Sequence, residues 1–117
     1  MKNKIVRAGW FTLACAFYLV SWQPTNAFSQ DAIAGRLKAK TCAICHGSIG
    51  IAVNANSPNL AGENAIYIKT QLHAFRSGKR KHHQMSIIAS GLSDDDIANL
   101  ARWYSLIKVV ATPPDLD

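Results

Sequence analysis

This chain is poor in the residue types and patterns that most catalytic, metal-storing or membrane-spanning proteins depend on. It has only 3 cysteines, 2 methionines and 7 acidic residues in 117. There is no second cysteine pair, which removes a four-cysteine zinc site and a multiple-disulfide framework. The remaining zinc candidates would be His73, His82 and His83, which do not complete a ligand set of familiar spacing. No convincing strand alternation occurs, so the βαβ surroundings of a thioredoxin-like redox pair are missing. The longest apolar run, Trp10 to Val20, falls short of the roughly 20 residues that span a bilayer. A formal charge of +6 comes without the basic stripe that nucleic-acid binding requires.

The N-terminal stretch accounts for much of that charge. Lys2, Lys4 and Arg7 precede the apolar run, and Pro24-Thr25-Asn26-Ala27 closes it with small residues. This is the order of a secretory leader, with cleavage expected after Ala27. An uncleaved membrane anchor is the alternative. A lipid-modified Cys15 fits less well, because it would leave the apolar Phe17 to Val20 at the new terminus. Three basic and no acidic residues leave with residues 1–27, so +6 becomes +3. Residues 28–117 then form one small domain in the periplasm, with Cys42 and Cys45 as its only cysteines and Met85 as its only methionine. So small a domain buries limited surface and commonly needs a staple.

What is present is Cys42-Ala43-Ile44-Cys45-His46. Two cysteines three apart followed by histidine form the attachment motif of a c-type haem. On a helical turn, the two thiols match the spacing of the porphyrin's two vinyl groups. His46 then lies where an imidazole nitrogen can bind iron. A thiol–disulfide pair is the competing reading, although a free pair outside the cytoplasm would tend to oxidise.

Three main helices are expected. The first runs from about Gln30 to Cys45, with Ser29 as N-cap, and carries Ile33, Leu37, Ala34 and Gly35. A glycine inside a helix suggests close approach of another helix. Residues 47–62 read as loop. A second helix, Asn64 to Ser77, places Ala65, Ile68, Leu72 and Phe75 on a face that reads as core, and Gly78 stops it. Residues 79–91 read as a second loop with a basic run, two histidines and Met85. The third helix starts at a capping box of Ser93 and Asp96 and buries Ile97, Leu100, Ala101 and Tyr104 beside Trp103. From about residue 108 the chain extends as a tail. His73 reads as exposed, and His82 and His83 as part of a solvated basic surface with Lys79, Arg80 and Lys81.

These elements resemble the class I c-type cytochromes, and most of all the small high-potential bacterial branch related to tandem dihaem proteins. The resemblance spans nearly all of residues 29–107. It rests on the haem motif with Gly47, Pro58-Asn59-Leu60-Ala61-Gly62, Gln71-Leu72 through Phe75-Arg76-Ser77-Gly78-Lys79-Arg80, and Met85 followed by Gly91-Leu92-Ser93-Asp94. It implies an all-α fold wrapped around one covalent haem c per chain. It also implies Gly35 against Trp103 and Tyr104, a hydrogen bond from His46 to the Pro58 carbonyl, and Met85 as the distal iron ligand, with His82 and His83 as rivals. The expected activity is one-electron transfer between partner proteins rather than enzymatic turnover. An electron-accepting subunit of a dehydrogenase is the alternative. Partners would dock at Lys79, Arg80 and Lys81.

Overall fold

Two helices that cross backbone to backbone set the frame. The computed structural model describes residues 27–116; the leader reading on residues 1–27 therefore lies outside the described residues except for Ala27. Helix α1 is Ala27–Lys38, and α5 is Asp94–Leu106. A Cβ built on Gly35 would sit 2.0 Å from the Asn99 carbonyl oxygen and 2.8 Å from Trp103 Cβ. Only glycine lets the helices approach this closely. The aromatic against Gly35 is Trp103; Tyr104 belongs to the interior. Arg36 stacks over the Trp103 ring at 5.9 Å, and Lys38 pairs with Asp96 at 2.9 Å.

Two features of the first helix differ from the sequence expectation. It starts at Ala27, before Ser29, and it does not run intact to Cys45. A 3₁₀ turn, Ala39–Thr41, interrupts it, and a short α2, Ala43–His46, follows. Thr41 donates its hydroxyl to the Lys38 carbonyl at 2.9 Å, and Cys42 N–H bonds Ala39 three residues back. Both contacts tighten the chain into a 3₁₀ turn between α1 and α2. Ile33 and Leu37 are also more than half exposed. The buried positions of this segment are Gly35 and Ala39, because the face of α5 is too near for larger side chains.

Helix α3, Ala65–Arg76, packs on α5 and on the short α4, Met85–Ser90. Asn64 caps α3 by accepting from Ile66 and Tyr67 N–H at 2.8 and 3.4 Å. Helix α5 begins with the expected reciprocal box, Ser93 and Asp96 each accepting the other's backbone N–H at 3.0 Å. Its buried face is Ile97, Leu100, Ala101 and Tyr104, as its periodicity indicates. Among the described residues there is no strand. None of their helices is long and apolar enough to cross a membrane. Residues 107–116 have no regular structure.

Candidate functional site

The turn Cys42 to His46 is held by its own backbone. His46 N–H bonds the Cys42 carbonyl at 2.9 Å, and Gly47 N–H bonds Ala43 at 3.0 Å. This single turn brings Cys42, Cys45 and His46 to one wall of a cavity of about 700 Å³. The two thiols are not bridged to each other. His46 is buried, with its Nδ1 2.8 Å from the Pro58 carbonyl oxygen. A carbonyl can only accept, so Nδ1 carries the proton and Nε2 keeps its lone pair for a metal.

The loop after α2 exists to present that carbonyl. Gly50 accepts from Leu60 and Ala61 N–H at 2.7 and 3.0 Å, and Asn59 Oδ1 accepts from Ala52 N–H at 2.8 Å. Gly50 has φ +78°, and a Cβ there would strike the Tyr104 ring at 2.8 Å. Gly62 N–H bonds the Tyr104 carbonyl at 2.9 Å, tying the far end of the loop to α5.

Met85, half-buried on α4, lines the same cavity. The α3 stripe contributes Ile68, Leu72 and Phe75 to it, and α5 contributes Leu100 and Tyr104. The stripe expected to be plain core is thus also cavity wall. His82 and His83 border the cavity too, so they are not merely solvated surface. Arg80 is folded against it: its guanidinium lies 4.5 Å from the Phe75 ring centre and donates to Gln71. His73 is half-buried, accepting from Arg76 at 3.1 Å, and Arg76 also pairs with Asp94 and bonds the Leu92 carbonyl.

Two titrating groups report on the wall. Burial pushes the Cys42 thiol up, outweighing the opposing hydrogen bonds of Thr41 and Tyr104 and the charge of Lys38. Burial, and then a charge on Cys42, pushes the Tyr104 phenol up. An attacking thiol needs the opposite shift, so Cys42 is a poor nucleophile for disulfide exchange. The Tyr104 hydroxyl is buried beside this sulfur with no nitrogen or oxygen partner. Unbridged thiols, a free imidazole Nε2, a thioether and apolar walls form a donor set suited to a large flat iron macrocycle. The volume falls within the range of cofactor pockets. Tyr104 was legible in the sequence only as a core residue; its part in the cavity depends on the Gly50 turn.

The fold and this cavity define a small helical haem protein. Residues 30–103 match the family model described as cytochrome c oxidase, cbb3-type, subunit III. The chain is 44% identical over 78 residues to cytochrome c-554(548) of Halomonas halodenitrificans, covering 64% of this chain and 94% of that one. It is 40% identical over 67 residues to the thiosulfate dehydrogenase electron acceptor of Stutzerimonas stutzeri, covering 55% and 31% of the two. The structure of reduced cytochrome c4 from Pseudomonas stutzeri superposes with a TM-score of 0.61 at 28% identity, over 68% of this chain and 50% of that one. This chain therefore spans most of the first relative and half or less of the other two. It belongs to the c-type cytochrome family, with the class I fold, haem c as cofactor and electron transfer as its role.

Proposed function

We propose that the protein is an exported, periplasmic single-haem electron carrier in which Cys42 and Cys45 hold haem c through thioethers, and His46 and Met85 are the axial iron ligands. The observation that carries this is one cavity lined by both thiols, by a buried imidazole hydrogen-bonded to Pro58, and by Met85. When bound, haem c supplies a one-electron ferric–ferrous couple. The residues do the rest. Pro58 orients the His46 ring and strengthens its donation. The Met85 thioether favours the reduced state and raises the potential. With His46 and Met85 both holding the iron, no coordination position would be left for a substrate, which suits an electron carrier rather than an enzyme. Ile68, Leu72, Phe75 and Leu100 keep water from the cofactor.

Lys79 and Lys81 are exposed and make no ion pair among the described residues, so they supply the charge that steers an acidic partner. Arg80 contributes less, being held on Phe75 and Gln71. A fixed electron-accepting role beside a dehydrogenase is the second reading, favoured by the relative that is named an electron acceptor.

Two experiments test the proposal. Denatured protein should retain one haem per chain and present no titratable thiol at Cys42 or Cys45; colourless protein with two free thiols refutes it. Met85→Ala should abolish the near-infrared sulfur–iron band of the ferric protein and lower the potential; an unchanged band refutes the ligand assignment. Elution as a free small protein, or together with a larger dehydrogenase, separates the two readings.

A further inference from the structure

Helix α4 is only six residues long, Met85–Ser90, and its N-cap residue, Gln84, supplies no side-chain cap. Helices this short are marginal without outside support. The first N–H groups of a helix have no acceptor within it. Here the imidazole of His82 takes that place. Its Nδ1 lies 3.3 Å from Gln84 N and 3.2 Å from Met85 N, where both N–H groups can donate to it. The backbone completes the arrangement in reverse: His82 N–H donates to Ser86 Oγ at 3.1 Å, and Ser86 N–H donates to the His82 carbonyl at 3.0 Å. An imidazole thus does what Ser or Asp does in an ordinary capping box.

The same ring is anchored on the cavity wall. It meets Phe75 of α3 edge-on, with centroids 6.4 Å apart and planes at 68°, and lies 4.5 Å from the His83 ring. Accepting through Nδ1 requires the hydrogen to be on Nε2. His82 therefore links the backbone amide of Met85 to α3, the helix that forms much of the cavity. We propose that His82 is a positioning residue that fixes where Met85 meets the cavity, and that it is neither an iron ligand nor a docking charge. The proposal rests on the assignment of Met85 as the distal ligand.

The test uses ferric holoprotein and imidazole, which competes with Met85 for iron. Without its cap, Met85 should be displaced more easily. His82→Ala should tighten imidazole binding about fivefold, the factor given by a cap worth about 1 kcal/mol at 1.4 kcal/mol per tenfold. The near-infrared sulfur band should weaken in parallel. His82→Asn, whose side-chain oxygen can accept the same N–H groups, should recover most of both properties. A general loss of packing would not be rescued in this way. Imidazole affinity and band unchanged in His82→Ala, with the band lost in Met85→Ala, overturns the positioning role alone. No recovery in His82→Asn also overturns it. A wild-type protein lacking the sulfur band, with Met85→Ala indistinguishable from it, overturns the ligand assignment and the positioning role together.

Discussion

Gly35→Ala should destabilise the protein, even though alanine is the better helix former. Intrinsic propensity alone would make the substitution favourable by about 1 kcal/mol. The structure reverses the sign. The new methyl would lie 2.0 Å from the Asn99 carbonyl oxygen, whereas carbon and oxygen normally approach to about 3.3 Å. Relieving the clash requires α1 and α5 to separate by more than about 1 Å. A gap of that size already forfeits a quarter to a half of the dispersion energy of the atoms across it. The seam also holds the Lys38–Asp96 pair at 2.9 Å and the stacking of Arg36 on Trp103. Overpacking typically costs 1–3 kcal/mol, and backbone against backbone belongs at the upper end of that range or beyond. Net of propensity, a loss of about 2 kcal/mol is expected. At roughly 4–8 °C per kcal/mol for a domain of this size, the melting midpoint of the holoprotein should fall by about 8–16 °C. A midpoint equal to or above wild type would refute the close crossing of α1 and α5.

Three further outcomes follow from the same contacts. Ser93→Ala should lower stability by about 1 kcal/mol in denaturant titration, because the Asp96 N–H loses its acceptor. The Asp94 carboxyl is held below its usual range by the Arg76 hydrogen bond and charge, and that of Asp96 by the Lys38 and Ser93 hydrogen bonds. Their contribution is therefore complete above the ordinary carboxylate pKa of about 4 and is lost as pH falls through the lower folded values. Asp94→Asn with Asp96→Asn should flatten the acid limb of the stability profile below about pH 4; a limb as steep as wild type would exclude these two groups as its source. Lys79→Gln with Lys81→Gln should slow electron transfer to an acidic partner at low salt, with the difference shrinking as ionic strength rises, while the visible spectrum stays the same. Equal rates at low salt would place docking elsewhere.

Residues whose role is set within a few positions of chain were legible in advance. Cys42, Cys45 and His46 lie on one turn, so their chemistry follows from spacing alone. The capping box of Ser93 and Asp96 is equally local, and the face Ile97, Leu100, Ala101 and Tyr104 follows from helical periodicity on a well-capped segment. Pro58 and Met85 were expected at the site only by resemblance, because the loop that carries Pro58 and helix α4, which begins at Met85 where the sequence reads as loop, are placed by contacts distant in sequence.

Other features were decided only once the helices met. Ile33 and Leu37 look like a core stripe, yet they are exposed, because the nearness of α5 leaves space only for Gly35 and Ala39. Arg80 and His82 look like two more charges in a basic run, but Phe75 draws the His82 ring and the Arg80 guanidinium onto the cavity wall. Ile68, Leu72 and Phe75 look like packing and become lining, because they border the same cavity as Cys42, Cys45 and His46. By itself the sequence determined which atoms could bind haem, since a covalent motif is written in consecutive residues. Tertiary structure decided which side chains surround that chemistry, because burial depends on what the opposing helix leaves room for.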